Sequence, residues 1–230
     1  MKYHKILVKF SGESFGEKGK GIDLKRVEKI VEEIKQLIKA KVKVAIVCGG
    51  GNISRWKDVK KGDRVEVDLK GIRGTLKNVY PLAKLLQQAK ISCQVYTSFA
   101  IKSVYPNFKY QSVKKDWQRN KVLIFAGGTG QPFFTTDTAA VLRALQVGAE
   151  IYIKSTKVDG IFTADPVKNP QAKKINRLSH HDYIIKNLKV VDPTAVCLAW
   201  ENKLPIRVVE SQEGNIMRVV EGKNVGSIIK

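Results

Sequence analysis

Four stretches of this 230-residue chain combine glycines with cations, hydroxyls or a carboxylate, and each stands directly after a short apolar run. The first, KFSGES, sets Lys9 beside Phe10, Ser11 and Gly12. A lysine next to a Ser-Gly turn can offer an ammonium group and backbone N–H donors to one anion; a solvated strand end has the same composition. The second, CGGGN, holds Gly49, Gly50 and Gly51, followed by Asn52 and Arg55. Three consecutive glycines are costly in backbone entropy. They suit a main chain touched by a polyphosphate ahead of a helix N-terminus, whereas a plain strand-to-helix turn needs only one or two. The third, AGGTGQPFFTTD, carries the hydroxyls of Thr129, Thr135 and Thr136 and the carboxylate of Asp137 into a helical pattern. Phosphate is favoured at such an N-terminus, and Asp137 serves equally well as a plain N-cap. The fourth, KSTKVDGIFTADP, brings Lys154, Thr156, Phe162 and Asp165 close enough in sequence for a pocket with an aromatic wall.

The familiar phosphate-binding signatures are missing. There is no GxxxxGK(S/T), and Gly128-Thr129-Gly130 continues as Gln131-Pro132-Phe133 without the third glycine of GxGxxG. The protein-kinase motif set and HExxH are missing too. Asp165 could touch a metal, but no cluster forms an all-protein metal site. Magnesium is expected to arrive with phosphates, keeping most of its own water.

The elements that position these stretches follow from periodicity. Lys5–Phe10, Val42–Cys48, Ser92–Thr97, Lys121–Ala126, Glu150–Lys154 and Ile206–Glu210 are brief and β-branched and read as strands. Their near-continuous apolar character predicts a parallel sheet covered on both faces. Val27, Ile30, Val31, Ile34, Leu37 and Ile38 repeat at helical spacing behind Asp23, a suitable N-cap. Further helices are predicted around Leu82, Leu85 and Leu86, around Ala139–Leu145, and around Ala195–Ala199, with Pro81 kinking or starting the first of these. Strands alternating with helices imply βαβ units in one α/β domain spanning 1–230. In such sheets ligands bind at the carboxyl ends of the strands, where all four stretches fall.

Hydrophobic residues make up 43% of the chain, enough for a folded core. No apolar run approaches the roughly 18 to 20 residues of a membrane span, and MKYHKILVKF lacks the apolar core and small-residue cleavage site expected of a signal peptide. A soluble cytoplasmic protein is expected. Cys48, Cys93 and Cys197 are scattered and read as buried free thiols. The net charge of +21 invites a nucleic-acid reading. Only nine of the 42 basic residues are arginine, however, and no basic block interleaves with aromatics. A lysine-rich solvated surface attracting small anions is favoured.

Taken together and in order, KxSGE at Lys9–Glu13, GGGNxxR at Gly49–Arg55, GTGxPFFTTD at Gly128–Asp137, KxTKVDGxFTADP at Lys154–Pro166 and LPIRV at Leu204–Val208 resemble the bacterial UMP kinases of the amino-acid-kinase superfamily. The match is collinear over nearly the full length. The resemblance implies a three-layer α/β sandwich on a mainly parallel sheet, and transfer of the γ-phosphoryl group of MgATP to UMP, giving UDP and ADP. It implies ATP contacts at Lys9, Phe10, Ser11, Gly12, Gly51 and Arg55, with Thr156, Phe162 and Asp165 around the nucleoside. UMP contacts are implied at Gly50, Asp68, Thr129, Gly130, Gln131, Pro132, Phe133, Phe134, Thr135 and Thr136. RVEVDLKGIRGTLKN keeps the Asp-x-x-Gly and Thr-x-x-Asn spacing of the family's uridine helix.

Lys9, Arg55 and Asp137 form the implied catalytic set, with Asp137 orienting Lys9 or magnesium rather than removing a proton. A homohexamer is also implied. The chain departs from the pattern at Gln131, where asparagine is usual, at Lys70, Arg73 and Lys77 on a helix that is generally more apolar in the family, and in Phe15–Asp23 and Ser98–Gln111. The family's responses to GTP and UTP are therefore not carried over. Two rivals remain: a superfamily kinase acting on a carboxylate or carbamate, and a nucleic-acid-binding protein.

Overall fold

The computed structural model describes residues 1–59, 61–99 and 105–230; residues 100–104 of the divergent segment Ser98–Gln111 thus lie outside the described residues. Six strands correspond to the apolar runs: β1 (Lys5–Phe10), β2 (Lys43–Cys48), β3 (Cys93–Thr97), β4 (Val122–Ala126), β5 (Ile151–Thr156) and β9 (Ile206–Glu210). The short strands β6 (Ile161–Phe162) and β7 (Lys174–Ile175) form a separate antiparallel pair. With β8 (Arg177–Leu178) and β10 (Ser227–Ile229), the main strands make an eight-stranded sheet of order β3-β4-β2-β1-β5-β9-β10-β8. It is parallel except where β10 runs against β9.

Strand side chains alternate between faces, and the two cores separate on that alternation. Ile6, Val8 and Phe10 of β1 pack with α1 (Leu24–Lys39), α2 (Arg64–Gln88) and α7 (Asn215–Val220). Leu7, Tyr152 and Val208 face the other layer, with α3 (Tyr110–Gln118), α4 (Thr136–Val147), α5 (His180–Ile185) and α6 (Pro193–Glu201). Helices on both faces make the expected three-layer sandwich. Lys9 is in phase with Leu7, so its side chain enters the α4 layer while the flanking Phe10 ring is buried in the α1 layer.

Asp23 caps α1 as expected, accepting from the N–H groups of Lys25 and Arg26. Two expectations are corrected. Pro81 does not start a helix: α2 begins seventeen residues earlier, capped by Asp63, and runs through it. Proline supplies no N–H to the Lys77 carbonyl. Continuation instead follows from Val79, Leu82, Ala83 and Leu86, all buried against the sheet, since tertiary packing outweighs local propensity. The cysteines also differ: Cys48 is buried, Cys93 half-buried and Cys197 exposed on α6. No helix among the described residues is long and apolar enough to cross a membrane.

Candidate active site

The parallel register of β1 and β5 sets Lys9 beside Lys154, both on the α4 face. Two ammonium groups at this spacing repel, and a buried charge must be paired. Asp137, the second residue of α4, lies between them. Its Oδ1 is 3.1 Å from Lys9 Nζ and its Oδ2 2.5 Å from Lys154 Nζ. Tyr152 Oη donates to Oδ1 at 3.0 Å and the Asp192 backbone N–H to Oδ2 at 3.3 Å. Lys154 also donates to the Val190 carbonyl at 2.5 Å. Both lysines and the aspartate are more than nine-tenths buried.

Burial alone would raise the Asp137 carboxyl, but the charges of Lys154 and Lys9 and their hydrogen bonds outweigh it and hold the group well below the usual carboxylate range. Burial pulls Lys154 down to about 8, against the attraction of Asp137 and with the repulsion of Lys9. The result is a buried array carrying one negative and two positive charges, an excess of one cation facing the carboxyl edge of the sheet.

Asp137 is not the N-cap of α4. Thr135 takes that place, accepting from the Asp137 N–H at 3.1 Å, and this releases the Asp137 carboxylate to the lysines. Asp192 was not singled out by the sequence reading. It caps α6 and accepts the hydroxyls of Thr135 and Thr138, each at 3.0 Å, so one carboxylate joins the starts of two helices. Its position in VVDPT, an aspartate before a proline at a helix start, carried the capping signal.

Around this array the glycine stretches meet. A Cβ on Gly12 would fall 2.5 Å from the Gly51 nitrogen and 2.6 Å from that of Asn52, so the first two loops touch through main chain. Arg55 reaches back across Gly51 to Glu13, with Nη2 2.7 Å from Oε1. Ser11 leads a 3₁₀ turn over Gly12–Ser14, and its hydroxyl is 3.4 Å from that of Ser14. The Gly50 carbonyl accepts from the N–H groups of Ile53 and Ser54, closing the second loop.

The helix α2 fixes two of these loops from one side. Asn78 donates to the Gly49 carbonyl at 2.6 Å and exchanges hydrogen bonds with Asn52, while Thr75 Oγ1 accepts from the Gly127 N–H at 2.7 Å. The Thr-x-x-Asn spacing thus has a physical meaning: one helical turn grips the loops after β2 and β4 together. Gly127, Gly128 and Gly130 have φ of 83°, 57° and 81°, values that side chains disfavour. Ser98 Oγ holds the Gly128 carbonyl at 2.6 Å. Ser98 is in turn held by Arg143 Nη2 at 3.2 Å, whose buried guanidinium lies 3.7 Å from the Phe108 ring centroid.

Beyond this turn the third stretch becomes exposed. Thr129 Oγ1 accepts from the Gln131 N–H at 3.2 Å. Pro132 is half-buried, whereas Gln131, Phe133 and Phe134 are exposed. Asp68 Oδ2 accepts from the Phe133 N–H at 2.9 Å, tying α2 to this loop. Thr136 is the first residue of α4.

The remaining expected residues stand apart. Thr156 ends β5, and its carbonyl accepts from the Ser211 N–H. Phe162 is on β6, and the exposed Asp165 caps its own turn by accepting from Val167 N–H at 3.0 Å. None of these three hydrogen-bonds to the Lys9–Asp137–Lys154 array. No group of three or more metal-ligating side chains occurs among the described residues, and both Asp137 oxygens are already engaged.

Residues 4–210 match the model of the amino acid kinase family. Uridylate kinase of Rickettsia felis is 42% identical over 227 residues, covering 97% of this chain and 94% of the relative. That of Wolinella succinogenes is 40% identical over 228 residues, covering 97% and 95%. Among solved structures, UMP kinase from Bacillus anthracis superposes with a TM-score of 0.93 at 33% identity, covering 100% of this chain and 97% of that one. UMP kinase from Ureaplasma parvum gives 0.90 at 30%, covering 100% of both.

Proposed function

The chain belongs to the amino acid kinase family, on its uridylate kinase branch, and from that premise we propose that it acts as a single domain transferring the γ-phosphoryl group of MgATP to UMP. The observation that carries this reading is the Lys9–Asp137–Lys154 array at the carboxyl edge of the sheet. It is a fixed excess of positive charge with glycine loops on either side. Phosphoryl transfer asks a protein mainly to position groups and stabilise charge.

Lys9 neutralises the β- and γ-oxygens and the group in transit, and Lys154 supplies the second cation. N–H groups at Ser11, Gly12 and Gly51 line the same cradle, already oriented and without reorganisation cost. Phe10 takes part through its backbone, since its ring is committed to the core. Arg55 leaves Glu13 to meet the transferring phosphoryl. Thr156, Phe162 and Asp165 border the ATP nucleoside. Gly50, Asp68 and Thr129–Thr136 receive UMP. The acceptor phosphate is largely a dianion at neutral pH, given a second pKa near 6, so no strong base is required. Asp137 is a positioning residue: two lysines, a tyrosine and a backbone N–H already use its oxygens. Magnesium belongs to the substrate, carried by the triphosphate, in keeping with the engaged Asp137 carboxylate.

The test is ADP release from MgATP with UMP, CMP, aspartate, glutamate and carbamate offered in turn. UMP should be strongly preferred, and preference for any other acceptor overturns the reading. A homohexamer in the cytoplasm belongs to the same proposal; light scattering tests the assembly.

A further inference from the structure

Phe133 is a conformational oddity. Its φ is +68°, in the left-handed region that a bulky side chain rarely occupies, and the residue is 60% exposed. Something must hold it there. Arg64, the first residue of α2, places its guanidinium carbon 4.7 Å from the Phe133 ring centroid and 6.0 Å from that of Trp56. Trp56 begins the 3₁₀ turn (Trp56–Asp58) that follows the glycine loop after β2. The same arginine sets Nε 3.5 Å from Asp68 Oδ2, one helical turn on, and that oxygen is the acceptor of the Phe133 N–H. One cation therefore touches the ring of Phe133, the carboxylate that holds its main chain, and an aromatic from the neighbouring loop.

We propose that Arg64 is a positioning residue for the acceptor: it clasps Phe133 and Asp68, fixes residues 131–134 in their receiving conformation, and leaves Asp68 Oδ1 as the free oxygen, without touching the nucleotide itself. This rests on the assignment of Thr129–Thr136 to UMP. A planar guanidinium suits the task because it stacks on a ring and reaches a carboxylate at once; an ammonium group is a point charge with no face to stack.

The test pairs hydrogen exchange at the amides of residues 129–131 and 133–135 with steady-state kinetics, in Arg64→Ala and Arg64→Lys. Arg64 is exposed, so both variants should fold, with melting points close to the parent's. The Ala variant should exchange the Phe133 amide about tenfold faster and raise the UMP KM about tenfold, with kcat and the ATP KM within about twofold. The Lys variant should resemble Ala more than the parent. Unchanged exchange in the Ala variant overturns the clasp, and a Lys variant equal to the parent overturns the stacking that defines it. Faster exchange with an unchanged UMP KM means instead that the loop does not receive UMP, and the role of Arg64 in the reaction falls with that assignment.

Discussion

Replacing Asp137 by asparagine keeps the shape of the side chain and removes its charge. The buried array would then hold two ammonium groups with no anion between them. Removing one partner of a buried ion pair costs about 3 to 5 kcal/mol. For a chain of this length that corresponds to roughly 6 to 20 °C of melting temperature. Lys154, already pulled down to about 8 by burial despite the attraction of Asp137, loses that attraction and falls lower still.

The activity consequence has a definite sign. If the Lys154 ammonium serves the triphosphate, kcat/KM for MgATP falls as pH rises through about 8 in the parent, and this alkaline limb moves to lower pH in the variant. Stability runs the other way. An amine whose folded pKa lies below its unfolded value is least favourable to the fold below pH 8. Its contribution improves from about 8 to 10.5, where the unfolded chain still binds the proton. The assays are thermal unfolding and a pH profile of kcat/KM for MgATP on both proteins. A variant that melts within 2 °C of the parent, with its alkaline limb unmoved, would refute the electrostatic account of Asp137. If only the turnover collapsed, a proton-abstracting role would be indicated instead.

Lys9→Ala should lower kcat by roughly a hundred- to a thousandfold, the loss typical of one preorganised charge contact; near-normal turnover removes Lys9 from the chemistry. Asp68→Ala should raise the UMP KM with a smaller change in kcat, and steady-state kinetics at varied UMP decide it. A fourth expectation concerns Glu33, buried on α1 with Oε1 3.2 Å from the Ile216 N–H. Burial raises its carboxyl to about 7, against that N–H and with help from Glu213. An acid with a raised folded pKa loses stability as pH climbs from its unfolded value through the folded one. At about 1.4 kcal/mol for each factor of ten, this is on the order of 3 kcal/mol. Between pH 5 and 8 the parent should lose roughly 6 to 12 °C more melting temperature than Glu33→Gln; equal losses by calorimetry would count against it.

Much of the fold is legible in apolar periodicity, because the six long strands are largely buried, with exposed residues only at the ends of β1 and β9. The short pieces β6, β7, β8 and β10 carry two or three residues each, too few for a period to emerge. Helix α3 was hidden for another reason: of its nine residues only Val113 and Trp117 are buried. The glycine loops announced themselves by composition. What composition conceals is phase. Lys154 sat in a quoted motif, yet its partnership with Lys9 depends on strand register between β1 and β5, which no local pattern encodes. Asp137 illustrates the same limit. As N-cap or as ion-pair partner it is the same letter, and a neighbouring threonine decided between the two. Asp192 joined the site through α6, some fifty residues further along the chain.

The pairing of Lys9 with Lys154 has a consequence for how such a site can change over evolutionary time. Their separation is a strand spacing, about 4.8 Å between parallel neighbours, and it is set by backbone hydrogen bonds rather than by the lysines. Deleting one residue from β1 would not retune the array. It would turn Lys9 into the opposite layer, among Ile6, Val8 and the α1 helix. Deleting two would restore the face but carry the charge roughly 6.6 Å along the sheet, out of reach of Asp137. The site has no intermediate settings. Length variation should therefore be shut out of β1 and β5 and gather in the loops beyond their carboxyl ends, where new acceptors can be accommodated without disturbing the cations.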